Sequence, residues 1–137
     1  MPARPRSLAV AALVLFAAGC AEQRIHPVRG TVKFADGKPL AAGRVTIDTG
    51  DALTGSWGAI QPDGTFVMGT NTPTDGVPAG TFRVAIVGAI TQPSGDQVML
   101  DPKPLIHERY TRPETSGLTF TVPDQTVWDI VVEKPAK

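Results

Sequence analysis

The chain has 137 residues, enough for one domain of ordinary size and too few for two. Its 13 basic and 13 acidic side chains balance, with no local run of like charge, which excludes the electrostatic footprint of a nucleic-acid binder. The count of 14 glycines and 13 prolines favours closely spaced turns, and beyond the first twenty residues no helical periodicity runs longer than about two turns.

The N-terminus is of a different kind from the rest. Residues 1–7 hold Arg4 and Arg6 and no acid, residues 8–18 are continuously apolar, and Gly19 and Cys20 close the run. A short basic region, an apolar stretch and small residues at the cut describe a secretory signal. The run is too short to span a bilayer, which takes about 20 apolar residues, so residues 1–19 are set outside the fold. Cys20 is the only cysteine and cannot form an intramolecular disulfide. Ala17-Ala18-Gly19-Cys20 resembles the lipobox of bacterial lipoproteins, with Ala17 where the box usually carries Leu. The resemblance implies cleavage between Gly19 and Cys20, acylation of Cys20 by palmitate-type chains, and a lipid anchor in the cell envelope. Stable anchoring takes at least two membrane signals, and two or three acyl chains on one cysteine meet that condition. Ala21 rather than Asp follows the cysteine, which leans toward the outer membrane or cell surface. Removing Arg4 and Arg6 from the 13 basic residues leaves 11 against 13 acidic, a net of −2. Attachment then rests on Cys20 and membrane lipid, with no polybasic patch to assist it. Residues 20–26 are a lipidated polar tether.

Residues 27–133 repeat one grammar of short strands and tight turns. Val28, Val32 and Phe34 alternate with Arg29, Thr31 and Lys33, and Val45 and Ile47 alternate with Arg44, Thr46 and Asp48. Such a period of two places one set of side chains in a core and the other in water. Asp36-Gly37 and Pro39 supply the turn between these strands. A loop over 49–55 leads to a short strand at 56–60 carrying Trp57, and Gln61-Pro62-Asp63-Gly64 turns the chain into a strand at 65–69 with Phe66 and Met68 on one face. A loop over 71–79 precedes the cleanest strand, residues 80–87, with Phe82, Val84 and Ile86 inward and Arg83 outward. Residues 89–109 are irregular, with prolines at 93, 102 and 104, a length that marks a segment as functional or disordered. A turn at 110–117, a strand at 118–122, a turn at Pro123-Asp124 and a last strand at 127–133 with Trp128, Ile130 and Val132 on one side complete the domain. The polar tail 134–137 is expected to fray.

Seven strands in roughly 110 residues, with turn signals every 8–12, predict an all-β, seven-stranded antiparallel two-sheet sandwich. Its expected core is Val28, Val32, Phe34, Val45, Ile47, Trp57, Phe66, Met68, Phe82, Val84, Ile86, Leu118, Phe120, Trp128, Ile130 and Val132.

Val28-Arg29-Gly30-Thr31-Val32, followed by Asp36-Gly37-Lys38-Pro39-Leu40, resembles the opening of carboxypeptidase-regulatory-like, transthyretin-like domains. Asp63-Gly64-Thr65-Phe66 is similar to their D-G-x-F turn, and Ala79-Gly80-Thr81-Phe82-Arg83-Val84 to their G-x-Y/F-x-V strand. Arg109-Tyr110 and Thr115-Ser116-Gly117-Leu118 are similar to a passage of small bacterial lipoproteins that bear this domain. The resemblance covers nearly all of 27–133. It implies a prealbumin-like sandwich at the cell surface or in the periplasm, in a family without an established catalytic activity of its own.

Catalytic chemistry finds no foothold in the sequence. His26 and His107 are the two histidines, and neither stands at metal-ligand spacing, so no metal and no cofactor is expected. Asp36, Asp63, Asp75 and Asp96 sit in Gly-containing turns without the spacing of a calcium loop. Ser56 and Ser116 are not in a nucleophile elbow, and the C-terminal Tyr-Arg-Gly-Ser of the hydroxyisourate hydrolases among transthyretin-like folds is absent. The expectation is a non-enzymatic binding or structural module. Trp57 and Trp128 are candidate platforms for a sugar ring, although their strand alternation favours core packing. Met99, Leu100 and Leu105, in the 89–109 segment, are candidate contacts to an envelope protein. The alternative function is an accessory subunit that docks on a membrane or secretion complex through that segment. A hydrolase is the least favoured reading.

Overall fold

A computed structural model describes residue 3 and residues 24–49, 55–91 and 102–136. The signal segment, Gly19, Cys20, Met99 and Leu100 lie outside the described residues, as does most of the 49–55 loop. Among the described residues the fold is all-β and sandwich-like, with nine strands in three sheets. The strands are β1 (Ile25–His26), β2 (Arg29–Phe34), β3 (Arg44–Asp48), β4 (Trp57–Ala59), β5 (Thr65–Val67), β6 (Val77–Pro78), β7 (Gly80–Val87), β8 (Leu118–Val122) and β9 (Val127–Val132). A 3-10 turn (Glu108–Thr111) and one short helix, α1 (Pro113–Ser116), interrupt them.

One sheet has the order β5-β2-β9 and the other β4-β3-β7-β8. Their inner faces meet in one core: Val32, Phe66, Trp128, Ile130 and Val132 come from the first, and Val45, Ile47, Val84, Ile86 and Val122 from the second. The alternation that produces this is direct in β9, where exposed and buried residues alternate from Val127 to Val132.

Three features depart from the sequence expectation. The strand count is nine rather than seven, because Ile25–His26, assigned to the tether, pairs antiparallel with Val77–Pro78 in the loop 71–79. Two-residue strands have no period to read. The sandwich is also not wholly antiparallel. The first long strand and the last run side by side in the same direction, Arg29 opposite Val127 through Phe34 opposite Val132. A pairing between ends of the chain leaves no local trace in sequence.

The third departure is Trp57, placed in the expected core and found 42% exposed. Its strand offers Ser56, Trp57, Gly58, Ala59 and Ile60, and alternation forces Trp57 and Ile60 to opposite faces. Gly58 decides the choice. It faces inward, where a Cβ would come within 2.5 Å of the Val67 carbonyl oxygen and 3.2 Å of the Met68 sulfur. Ser56, Gly58 and Ile60 therefore turn in, and Trp57 turns out.

Residues 105–116, expected as loop and turn, close one end of the sandwich. Leu105 N–H donates to the Ala89 carbonyl, His107 N–H to Glu133, and the buried Ser116 hydroxyl to Val84 in β7. Ile106 and Tyr110 are thereby inserted into the core at 2% exposure each. Pro113 opens α1, where its missing N–H costs nothing.

Candidate binding site around Trp57

Trp57 and Arg44 project from the outer face of the four-stranded sheet. In the β3–β4 register Thr46 faces Trp57 and Arg44 faces Ala59, so Arg44 and Trp57 are diagonal neighbours on the same face. The Arg44 guanidinium lies over the indole, 4.2 Å from its centroid, a cation–π distance. Trp57 also lines a cleft of about 240 Å3 whose other walls are Gly69, Thr70, Asn71, Thr72 and Pro73. This lies below the range of about 300–1,000 Å3 for pockets that enclose drug-sized ligands, so the cleft suits one ring or the side of a longer chain.

The loop that forms this cleft is held by its own polar groups. One oxygen of the Asp75 carboxylate accepts from the Thr70 N–H at 2.6 Å and the other from the Asn71 N–H at 3.0 Å. The Thr70 N–H hydrogen bond, with that of Asn71 assisting, holds the Asp75 carboxyl below its ordinary pKa. Thr70 Oγ1 donates to the Gly76 carbonyl at 2.7 Å, which uses its one proton. The buried Ser56 hydroxyl, 2.6 Å from Thr70 Oγ1, must then be the donor of that pair. Trp57 and Gly69 exchange both backbone hydrogen bonds at 3.0 Å, which fixes the base of the loop to β4. Gly69 admits no side chain: a Cβ there would collide with the Thr72 carbonyl oxygen. The cleft is thus preformed, and Asn71 and Thr72 at its rim are exposed.

The other sequence candidates fall elsewhere. Trp128 is fully buried, its indole stacked on Phe120 at 4.6 Å and tilted against Phe66 at 6.4 Å, with Nε1 donating to the Gln125 carbonyl. It has no surface to offer a ligand. Leu105 is half-buried and packs against the core. Of the 89–109 segment, Ile90 pairs with Pro104 and Thr91 N–H donates to Lys103, so the two ends of the segment are joined to each other.

A second cleft, about 290 Å3, is lined by His107, Glu108, Arg109, Thr111, Arg112 and Thr115. Its polar groups are largely engaged in the closure of the sandwich end. His107 Nδ1 accepts from the Arg109 N–H, and Thr111 and Thr115 hydroxyls donate to the Glu108 and Arg109 carbonyls. The Arg109 guanidinium donates to the Tyr110 hydroxyl at 2.7 Å, which raises its pKa, and pairs with Glu133 at 3.6 Å. Among the described residues no group of three or more His, Cys, Asp or Glu side chains stands close enough to hold a metal ion.

Comparison with protein-family models, with curated proteins and with solved structures returns no match. Sequence reasoning singled out Trp57 but missed its partners Arg44, Asn71, Thr72 and the buttress Asp75. Asp75-Gly76 was legible as a turn, and Arg44 as a water-facing residue. Their convergence on Trp57 depends on strand register, which no local pattern carries.

Proposed function

We propose that this protein is a non-enzymatic module of the bacterial cell envelope, held to membrane lipid through acylated Cys20, that binds glycan at the Trp57 cleft. The observation that carries the reading is the exposed indole of Trp57 beside a cleft whose loop is fixed by Asp75, Thr70 and Ser56. An indole offers a flat apolar surface to the C–H face of a pyranose ring, and the free rim groups Asn71 and Thr72 can hydrogen-bond ring hydroxyls. A preformed cleft of this kind loses little conformational entropy on binding. The lipobox-like Ala17-Ala18-Gly19-Cys20 and the resemblance of residues 27–133 to transthyretin-like, carboxypeptidase-regulatory-like domains support an envelope role without catalysis, and Ala21 supports the outer membrane or cell surface.

The test is a glycan array probed with detergent-solubilised full-length protein and with its Trp57→Ala variant. Retention of selected glycans by the wild type and their loss in the folded variant is the expected result. Equal binding by both proteins, or no binding at all, refutes the reading. Recovery of one envelope protein in near-equal amount after crosslinking would instead favour an accessory subunit.

A further inference from the structure

The charge beside Trp57 specifies the ligand more narrowly. Arg44 has no acidic partner among the described residues: the ion pairs there are Arg83–Asp48, Arg109–Glu133 and Lys134–Asp36. Asp48 on the same strand and Asp75 in the cleft loop are turned to other groups. Asp48 is held by Arg83, on the row of the sheet that runs across to β7, and both oxygens of Asp75 are turned to backbone N–H groups of its own loop. The Arg44 guanidinium lies over the indole, and among the described residues no carboxylate pairs with its N–H groups.

We propose that the glycan taken by this cleft is acidic, a polymer containing hexuronic acid, and that Arg44 is the residue that selects it; this rests on the glycan reading above. A guanidinium whose carbon lies 4.2 Å from the indole centroid carries its fork of donors beside the ring, within reach of the carboxylate of a uronic acid bound at the cleft. Guanidinium and carboxylate are both planar and pair through two parallel N–H···O bonds, an arrangement that a neutral sugar cannot match and that lysine cannot reproduce. Asn71 and Thr72 then face the hydroxyls of the same ring.

Two matched pairs of probes test this on the detergent-solubilised full chain: tetragalacturonate against galactotetraose, and a hyaluronan tetrasaccharide against chitotetraose. Binding is read by calorimetry and by the emission of Trp57, with the buried Trp128 as background. In at least one pair the acidic member is expected to bind about tenfold or more tightly, as a charge-assisted bidentate contact requires, and to weaken as salt rises. Arg44→Gln should bring the acidic member down to the level of its neutral match, and Arg44→Lys should recover only part of the difference. Trp57→Ala should abolish binding of both. If each acidic probe binds no better than its neutral match, or if Arg44→Gln leaves the preference intact, the acid-selective role of Arg44 is overturned while the Trp57 platform stands. If no member of either pair binds, the glycan reading itself falls, and this proposal with it.

Discussion

Replacing each tryptophan by alanine should have opposite consequences, and the structure sets the size of each. Trp128 is completely buried, stacked on Phe120 and tilted against Phe66, and its Nε1–H is committed to the Gln125 carbonyl. Truncation of a buried Trp to Ala costs about 3–5 kcal/mol through lost transfer energy and the cavity left behind. The two ring contacts add about 0.5–1.5 kcal/mol for each aromatic pair lost. Against a total stability of about 5–15 kcal/mol for a natural domain, Trp128→Ala should leave the protein marginal or unfolded. Trp57 is 42% exposed, with the Arg44 guanidinium over its ring. An exposed cation–π contact is worth about 0.5–1 kcal/mol, so Trp57→Ala should cost about 1 kcal/mol. Urea unfolding followed by circular dichroism measures both, and an m-value of about 1–3 kcal/mol per molar converts the first loss into a midpoint drop of about 2 M or more. Emission gives an independent check: Trp57→Phe leaves a buried, blue-shifted fluorophore, and Trp128→Phe leaves a wet, red-shifted one. Comparable losses from the two alanine variants, or a Trp128→Ala cost within about 1 kcal/mol of zero, would refute the placement of these side chains.

Three further outcomes are expected. Ser116→Ala removes the donor to the Val84 carbonyl and the acceptor of the Leu118 N–H, the tie that holds α1 to the sheet; it should cost about 1–3 kcal/mol in urea unfolding. The cleft loop should loosen in acid. The folded-state pKa of Asp75 lies below its ordinary value of 3.8, so its contribution is complete above about pH 4 and is lost as pH falls from there through the lowered value. The amide resonances of Thr70 and Asn71 should follow that titration, and Asp75→Asn, neutral at every pH, should abolish it. Cys20→Ser should move the protein from membrane to soluble fractions on ultracentrifugation, and a variant that stays membrane-bound rules out the lipid anchor.

The longer strands that line the core were legible because both of their faces have consequences. In β3 apolar and polar residues alternate without exception, and in β9 Trp128, Ile130 and Val132 are buried while Val127, Asp129 and Val131 are exposed; no other register buries Val45 with Ile47 or Trp128 with Ile130. The ends of the sandwich were not legible. Tyr110 and Ile106 are buried by a 3-10 turn and a four-residue helix too short to display a period. Their burial depends on Ser116 and His107 reaching Val84 and Glu133, which lie 32 and 26 positions away in the chain. Leu40 and Val77 are buried from loop and two-residue strand for a similar reason. As for the site, a tryptophan in a strand is ordinarily core, and Trp57 escapes that rule only because Gly58 leaves the inward position without room for a side chain.

That inversion separates the two clefts as functional surfaces. At the closed end of the sandwich, the hydrogen bonds of Thr111, Thr115, Ser116 and Arg109 all act on the turn and helix that carry Tyr110 into the core, so their polarity is explained by folding. At Trp57 the same account fails. Burying that side chain instead would have been worth about 1.5–3 kcal/mol, yet the strand register turns it outward. The Asp75 carboxylate and the Ser56–Thr70 hydroxyl chain then fix the loop beside the exposed ring. A fixed loop next to a partly exposed indole confers no core packing, and Arg44 over that indole has no acidic partner among the described residues. What these groups share is a common surface, and the proposed ligand, one that needs an apolar ring face and a cation together, would give them a common purpose.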